Sequence, residues 1–194
     1  MSVLPLSFEG LQKPEVFFIK TIMLVFTLRV MHQMIRGYIN MPKVTTRKTV
    51  DVAFRCLPLD IDIFGHMNNA RYLQNAELAR WHLLPASSIT GRIFSKEGMV
   101  FLAVENAITY HKPILPFQKY IIQTSCKVQD DNKWMYYKHE FRQHPDDVQE
   151  GKEAKIYCTV DLTAVIKERS GKTIKPSVLI EESSFYKDLI DKTA

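Results

Sequence analysis

One helical stretch followed by four alternating stretches limits this chain to few architectures. Residues 69–84, NARYLQNAELARWHLL, put Tyr72, Ala76, Ala79 and Leu83 on a single helical stripe. Asn68 or Asn69 is placed to cap the first turn, and Pro85 and Gly91 mark the exit. Upstream, TVDVAFRCL at 49–57 alternates Val50, Val52, Phe54 and Cys56 against polar neighbours, the period of a strand. Downstream, residues 99–110, 119–129, 133–144 and 154–168 read as strands, with Asp130-Asp131-Asn132 as a hairpin turn between two of them. Consecutive strands joined by short polar turns favour an antiparallel sheet with the helix packed on one face, an α+β fold. The tail after residue 170 holds a short helix near 183–191.

The first quarter of the chain differs in kind. Residues 16–35, VFFIKTIMLVFTLRVMHQMI, are mostly apolar but are interrupted by Lys20 and Arg29. Residues 1–50 hold seven Lys/Arg against only Glu9 and Glu15, whereas residues 51–194 balance, so the whole net charge of +5 lies in this leader. The charge thus gives no reason to expect a nucleic-acid partner. A Lys or Arg in the middle of a span costs roughly 2.5–3.5 kcal/mol on insertion scales, which makes a crossing helix marginal. Thr21, Arg29, His32, Gln33 and Arg36 share one helical sector, with Lys20 and Thr27 opposite. Three readings stay open: a signal anchor or interfacial helix holding the chain on a membrane through residues 16–35, a mitochondrial targeting segment, and a helix packed on the folded domain. The expected location is membrane-associated, with the endoplasmic reticulum foremost and a mitochondrial or cytoplasmic site as alternatives. Residues 1–46 are read as this helix and a linker (GYINMPKVTT at 37–46), 47–170 as the folded domain and 171–194 as a C-terminal tail.

The chemistry is concentrated in DIDIFGHMNNARY at 60–72, followed by Glu77-x-x-Arg80. This is an acidic loop with a glycine that runs into a helix N-terminus. The first-turn N–H groups lack intrahelical partners and carry partial positive charge, so they can hold a carbonyl oxygen that becomes negative on attack. Gly65 allows close backbone approach, and a carboxylate just upstream can attack a carbonyl or take a proton from water. Together these suit acyl transfer to water.

Asp-x-Asp-x-x-Gly-His-x-Asn-Asn-x-x-Tyr followed by Glu-x-x-Arg resembles the signature of hotdog-fold acyl thioesterases of the 4-hydroxybenzoyl-CoA thioesterase type, and LPLDIDIFGHMNNARYL is most similar to the thioesterase superfamily member six group. The resemblance covers about residues 47–168. It implies a long central helix wrapped by a curved antiparallel sheet, a homodimer or homotetramer, and acyl-CoA or acyl-carrier-protein thioesters as substrates, with coenzyme A as part of the substrate and no cofactor. It also implies Asp62 as the catalytic carboxylate and the backbone near Gly65 and His66 as the oxyanion donor. His66 and Asn68 then organise the polar end, and Asn69 adds to the oxyanion and substrate contacts. Plant acyl-carrier-protein thioesterases use Asp, Asn and His at alternate positions. Here those positions are Asp62, Phe64 and His66, so the Asn is missing. Other hotdog enzymes place a catalytic Glu on the central helix. Glu77 is the only acid there, and it reads equally as the partner of Arg80 in an ion pair at i+3.

The remaining patterns exclude more than they suggest. Cys56, Cys126 and Cys158 lie in apolar stretches without metal spacing and read as buried free thiols, and no metal site is expected. His139 and His144 fall on opposite faces of a strand. No GxSxG elbow, P-loop or GxGxxG is present. Arg92, Lys96, Lys112 and Lys119 are candidates to meet the phosphates of coenzyme A, and Tyr137 either faces the core or lines an acyl channel. The expected function is hydrolysis of a fatty acyl thioester. The alternative is a non-catalytic, membrane-tethered acyl- or lipid-binding hotdog protein, with a hotdog dehydratase or hydratase as a weaker third.

Overall fold

A computed structural model describes residues 14–45, 48–87, 93–95, 98–129 and 133–193. The expected turn at Asp130–Asn132, the exit at Gly91, and Arg92 and Lys96 lie outside them. Helix α1 spans Pro14–Asn40 and α2 Asn69–Leu83. The strands are β1 (Thr49–Arg55), β2 (Met99–Tyr110), β3 (Lys119–Gln129), β4 (Trp134–Gln143) and β5 (Ile156–Glu168), each within two residues of the boundaries read from periodicity. Short elements follow: β6 (Thr173–Ile174), α3 (Ser177–Glu182), α4 (Ser184–Leu189) and β7 (Ile190–Thr193).

The expected α+β hotdog arrangement is the fold observed. The sheet runs β1-β3-β4-β5-β2, all antiparallel, with α2 on its inner face. Local turns did not foretell one pairing: β2 crosses the sheet to pair with β5 rather than with its successor β3. It therefore forms an edge, with Val100, Leu102 and Val104 exposed and a bulge between Ala103 and Glu105. The tail adds strand as well as helix, since β7 lies parallel to β3. Its Leu179, Phe185, Tyr186 and Leu189 enter the core.

The stripe Tyr72, Ala76, Ala79 and Leu83 is fully buried, and its two alanines allow α2 to lie close to the sheet. A second row of α2, Asn75, Leu78 and His82, is also buried. Helix α1 packs along the side of α2 away from the sheet. The helix runs on through Gly37, which was read as the start of a linker. Gly37 is buried at the crossing, where an added Cβ would fall 2.1 Å from the His82 carbonyl oxygen. The two backbones approach this closely because Gly37 has no side chain.

The orientation of α1 is inverted. Arg29, Gln33 and Arg36 of the polar sector face the domain, while Thr21 and His32 are exposed: Gln33 is buried, and Arg36 donates to the Ala53 carbonyl. Leu24, Leu28, Met31, Ile35, Tyr38 and Ile39 all face outward and are more than half exposed. Of the three readings of the leader, packing on the domain is the one these contacts describe. Among the described residues no helix is long and apolar enough to cross a membrane.

Candidate active site

The loop joining β1 to α2 is pinned at both ends. Cys56 donates to the Gln118 carbonyl, Phe117 to the Cys56 carbonyl, and Met67 to the Ile114 carbonyl. Asp60 lies beneath it, 1% exposed. Its Oδ2 accepts the Leu57 N–H at 3.1 Å, and its backbone carbonyl accepts the Asn68 N–H at 2.8 Å. A buried carboxylate needs a counter-charge. Arg29 of α1 supplies it, with Nη1 at 3.0 Å from Oδ1, while Arg71 Nε lies 4.0 Å away. Arg29 Nη2 also donates to Asn75 Oδ1, and Asn75 Nδ2 to the Tyr120 hydroxyl. The first Asp of the pair is thus sealed into a polar network that joins α1, α2 and β3.

Asp62 has the opposite environment, at the head of a tight turn. Its carbonyl accepts the Gly65 N–H, its N–H donates to the His66 carbonyl, and its Oδ1 accepts the Phe64 N–H at 2.9 Å. Gly65 closes the turn at φ +80°, a conformation that disfavours side chains. Asp62 Oδ2 lies 3.7 Å from His66 Nδ1, which is also 3.2 Å from the Met67 carbonyl. Both neighbours of Nδ1 are acceptors, so Nδ1 carries the proton and Nε2 is the basic nitrogen of the neutral ring. Side-chain exposure is 16% for Asp62 and 37% for His66, so solvent reaches both. Ile63 and Phe64 project beside them, 93% and 77% exposed.

Asn68 caps α2 by accepting the Ala70 N–H at 2.9 Å, so its amide oxygen already has a structural partner. Asn69 is the first helical residue, and its carbonyl accepts the Tyr110 hydroxyl. The Gly65 N–H is engaged inside the turn. Those of His66 and Asn69 have no acceptor among the described residues, which leaves two free backbone donors between the Asp62 turn and the first turn of α2.

Glu77 belongs elsewhere on the molecule, in a cleft of ≈ 390 Å³ between α2, β2, β4 and β5 that the Asp62 turn does not line. The expected Glu77–Arg80 ion pair is not formed. Glu77 Oε1 accepts from Trp81 Nε1 at 3.3 Å, and Arg80 Nη1 lies 3.0 Å from His139 Nε2. His139 is fully buried, and its Nδ1 lies 3.0 Å from Thr124 Oγ1. Burial and the nearby Arg80 charge push its pKa well below the usual histidine value. His139 is therefore neutral, accepting at Nε2 and donating at Nδ1. Loss of hydration also pulls Arg80 down from its ordinary value. Tyr137, open between core and channel in the sequence, is buried and lines this cleft.

The three cysteines are free and buried, as expected. Burial raises the Cys56 thiol to about 11 and the Cys158 thiol to about 12, so neither is a nucleophile at neutral pH. No group of three or more His, Cys, Asp or Glu among the described residues could hold a metal ion.

A profile described as the thioesterase-like superfamily matches residues 56–179. Protein THEM6 of Drosophila melanogaster is 34% identical over 119 residues, 60% of this chain and 60% of that protein. A probable thioesterase of Saccharomyces cerevisiae is 25% identical over 136 residues, covering 70% of this chain and 55% of its own length. The chain thus spans less than two thirds of these curated relatives. Among solved structures, the probable thioesterase YbaW of Escherichia coli aligns at TM-score 0.58 and 20% identity, over 73% of this chain and 98% of that one. A mutant 4-hydroxybenzoyl CoA thioesterase complexed with 4-hydroxybenzoyl CoA aligns at TM-score 0.58 and 15% identity, over 71% of this chain and 99% of that one.

Proposed function

We propose, for a chain that belongs to the thioesterase-like superfamily, that it hydrolyses a fatty acyl thioester, with coenzyme A carried by the substrate and no further cofactor. One observation carries the reading. An accessible carboxylate, Asp62, is fixed by the Phe64 N–H in the turn that leads into α2, where the His66 and Asn69 N–H groups have no acceptor among the described residues. The thioester carbonyl oxygen sits on the N–H groups of His66 and Asn69, where its developing negative charge meets the positive end of α2. Asp62 takes a proton from water as the water oxygen bonds to the carbonyl carbon, or it attacks that carbon directly and water then cleaves the mixed anhydride so formed, releasing the acid and freeing Asp62. The C–S bond then breaks, and the thiolate leaves with a proton. His66 Nε2 serves as proton carrier at the polar end, and Asn68 holds the turn of helix that supplies the donors. Glu77 lines the cleft beside α2 rather than the Asp62 turn and takes no part in this step.

The exposed edge of β2 and the bare Ile63 and Phe64 support a homodimer or homotetramer that covers the turn. The outward apolar face of α1 supports attachment to a membrane surface, with the helix lying on the bilayer rather than crossing it.

The test is release of free thiol from acyl-CoAs of graded length. Asp62→Asn lowers kcat/KM at least a hundredfold while far-UV circular dichroism is unchanged; wild-type turnover in that variant sinks the assignment. Binding without turnover in the wild type favours the acyl-binding alternative.

A further inference from the structure

The cleft beside α2 is mostly apolar, walled by Leu84, Phe94, Met99, Phe101 and Leu162, yet a guanidinium stands in it. Arg80 donates through Nη1 to His139, which is neutral and returns no charge. No carboxylate among the described residues lies within ion-pair distance of Arg80, and its Nε and Nη2 have no acceptor there. The one fully buried side-chain nitrogen left without a partner among the described residues is His82 Nδ1. The spare Arg80 nitrogens are therefore accessible, and Arg80 lines the cleft. Arg169 is a second cation on that lining. Among the described residues of the lining Glu77 is the only acid, and its Oε1 is turned to Trp81. Two cations against one acid, in a cavity of ligand size, leave a positive charge that low polarity strengthens.

We infer that this cleft binds an apolar chain ending in a carboxylate, with Arg80 receiving the carboxylate through its two unpaired nitrogens. A planar carboxylate matches the guanidinium fork, and the apolar walls take the chain. The ligand has two sources: a free fatty acid, or the far end of an acyl thioester derived from a dicarboxylic acid. Only the second source rests on the proposed hydrolysis.

The experiment is calorimetric titration of the full chain with decanoate, with decanol as the uncharged control. Decanoate binds at least tenfold more tightly than decanol. Arg80→Met abolishes the difference and Arg80→Lys keeps part of it. Equal binding of the two ligands, no binding of either, or an unchanged Arg80→Met protein overturns the inference. Should Arg80→Met fail to fold, the wild-type comparison and Arg169→Gln, which weakens decanoate alone, still decide it. Thiol release from decanoyl-CoA and from the mono-CoA thioester of decanedioic acid separates the sources. A preference for the acidic thioester that Arg80→Met reverses identifies the acyl end, and equal rates identify the free acid. Absence of all thiol release refutes the hydrolase reading and leaves the decanoate result standing.

Discussion

Two aspartates two residues apart meet opposite fates. Asp60 is sealed, holding Leu57 and Asn68 with its side chain and backbone, and depends on Arg29 for its charge balance. Asp62 is reachable and engaged only by its own turn. Arg29→Met leaves a buried carboxylate with only the more distant Arg71, and removing one partner of such a pair costs about 3–5 kcal/mol. Urea unfolding detects this as a fall in midpoint. Asp60→Asn combined with Arg29→Met loses less than the two singles together, because they share one interaction. Asp62→Asn, at a turn open to water, changes stability by less than about 1 kcal/mol. The Asp62 turn was legible in the motif because its parts are local: an acid, a glycine and a helix start within a few residues. The role of Asp60 was not, because its partner lies 31 residues upstream in a segment that periodicity assigns to another task. Arg80 shows the same limit, since i+3 spacing pointed to Glu77 while a residue 59 positions away captured it.

Strands and α2 were legible because alternation and helical period follow directly from which side faces the core. Helix α1 was not, because amphipathicity tells which residues share a face and says nothing about which face turns inward. Arg29, Gln33 and Arg36 turn inward here because the domain presents Asp60 of the β1–α2 loop and Asn75 and His82 of α2 to this helix. His82 reports on this junction. The ring packs against the Gln33 backbone, Nδ1 is buried without a partner, and Arg36 and His32 add positive charge. Burial, helped by those charges, lowers its pKa to about 4. The folded state thus refuses a proton that the unfolded chain accepts below about pH 6.5. Stability is therefore full above pH 6.5 and falls as pH drops toward 4, by about 1.4 kcal/mol per pH unit for this group. His139, lowered by its own burial and by Arg80, acts in the same direction. Denaturant unfolding at pH 7 and pH 5 gives a smaller difference in His82→Gln than in the wild type; an equal difference removes His82 from the account.

At the scale of the molecule, the outer face of α1 is a continuous apolar stripe on a leader that carries all the excess positive charge. Both properties draw a helix onto anionic bilayers. The full chain sediments with phosphatidylserine-containing vesicles, and Leu28→Lys with Ile35→Lys lowers the bound fraction at least tenfold; undiminished binding rejects the surface-attachment proposal. The inner side of the same helix has another consequence. The shared family segment begins at residue 56, yet the counter-ion of the carboxylate beneath its Asp62 turn comes from residue 29. The inherited module and the cooperative folding unit are therefore different stretches of chain. Native-state hydrogen exchange is expected to show the amides of the Arg29–Gly37 turns and of the Asp60–Met67 loop exchanging together as one foldon, and separate exchange of the two rejects the coupling. An event that lifts α1 thereby loosens the Asp62 turn without touching it.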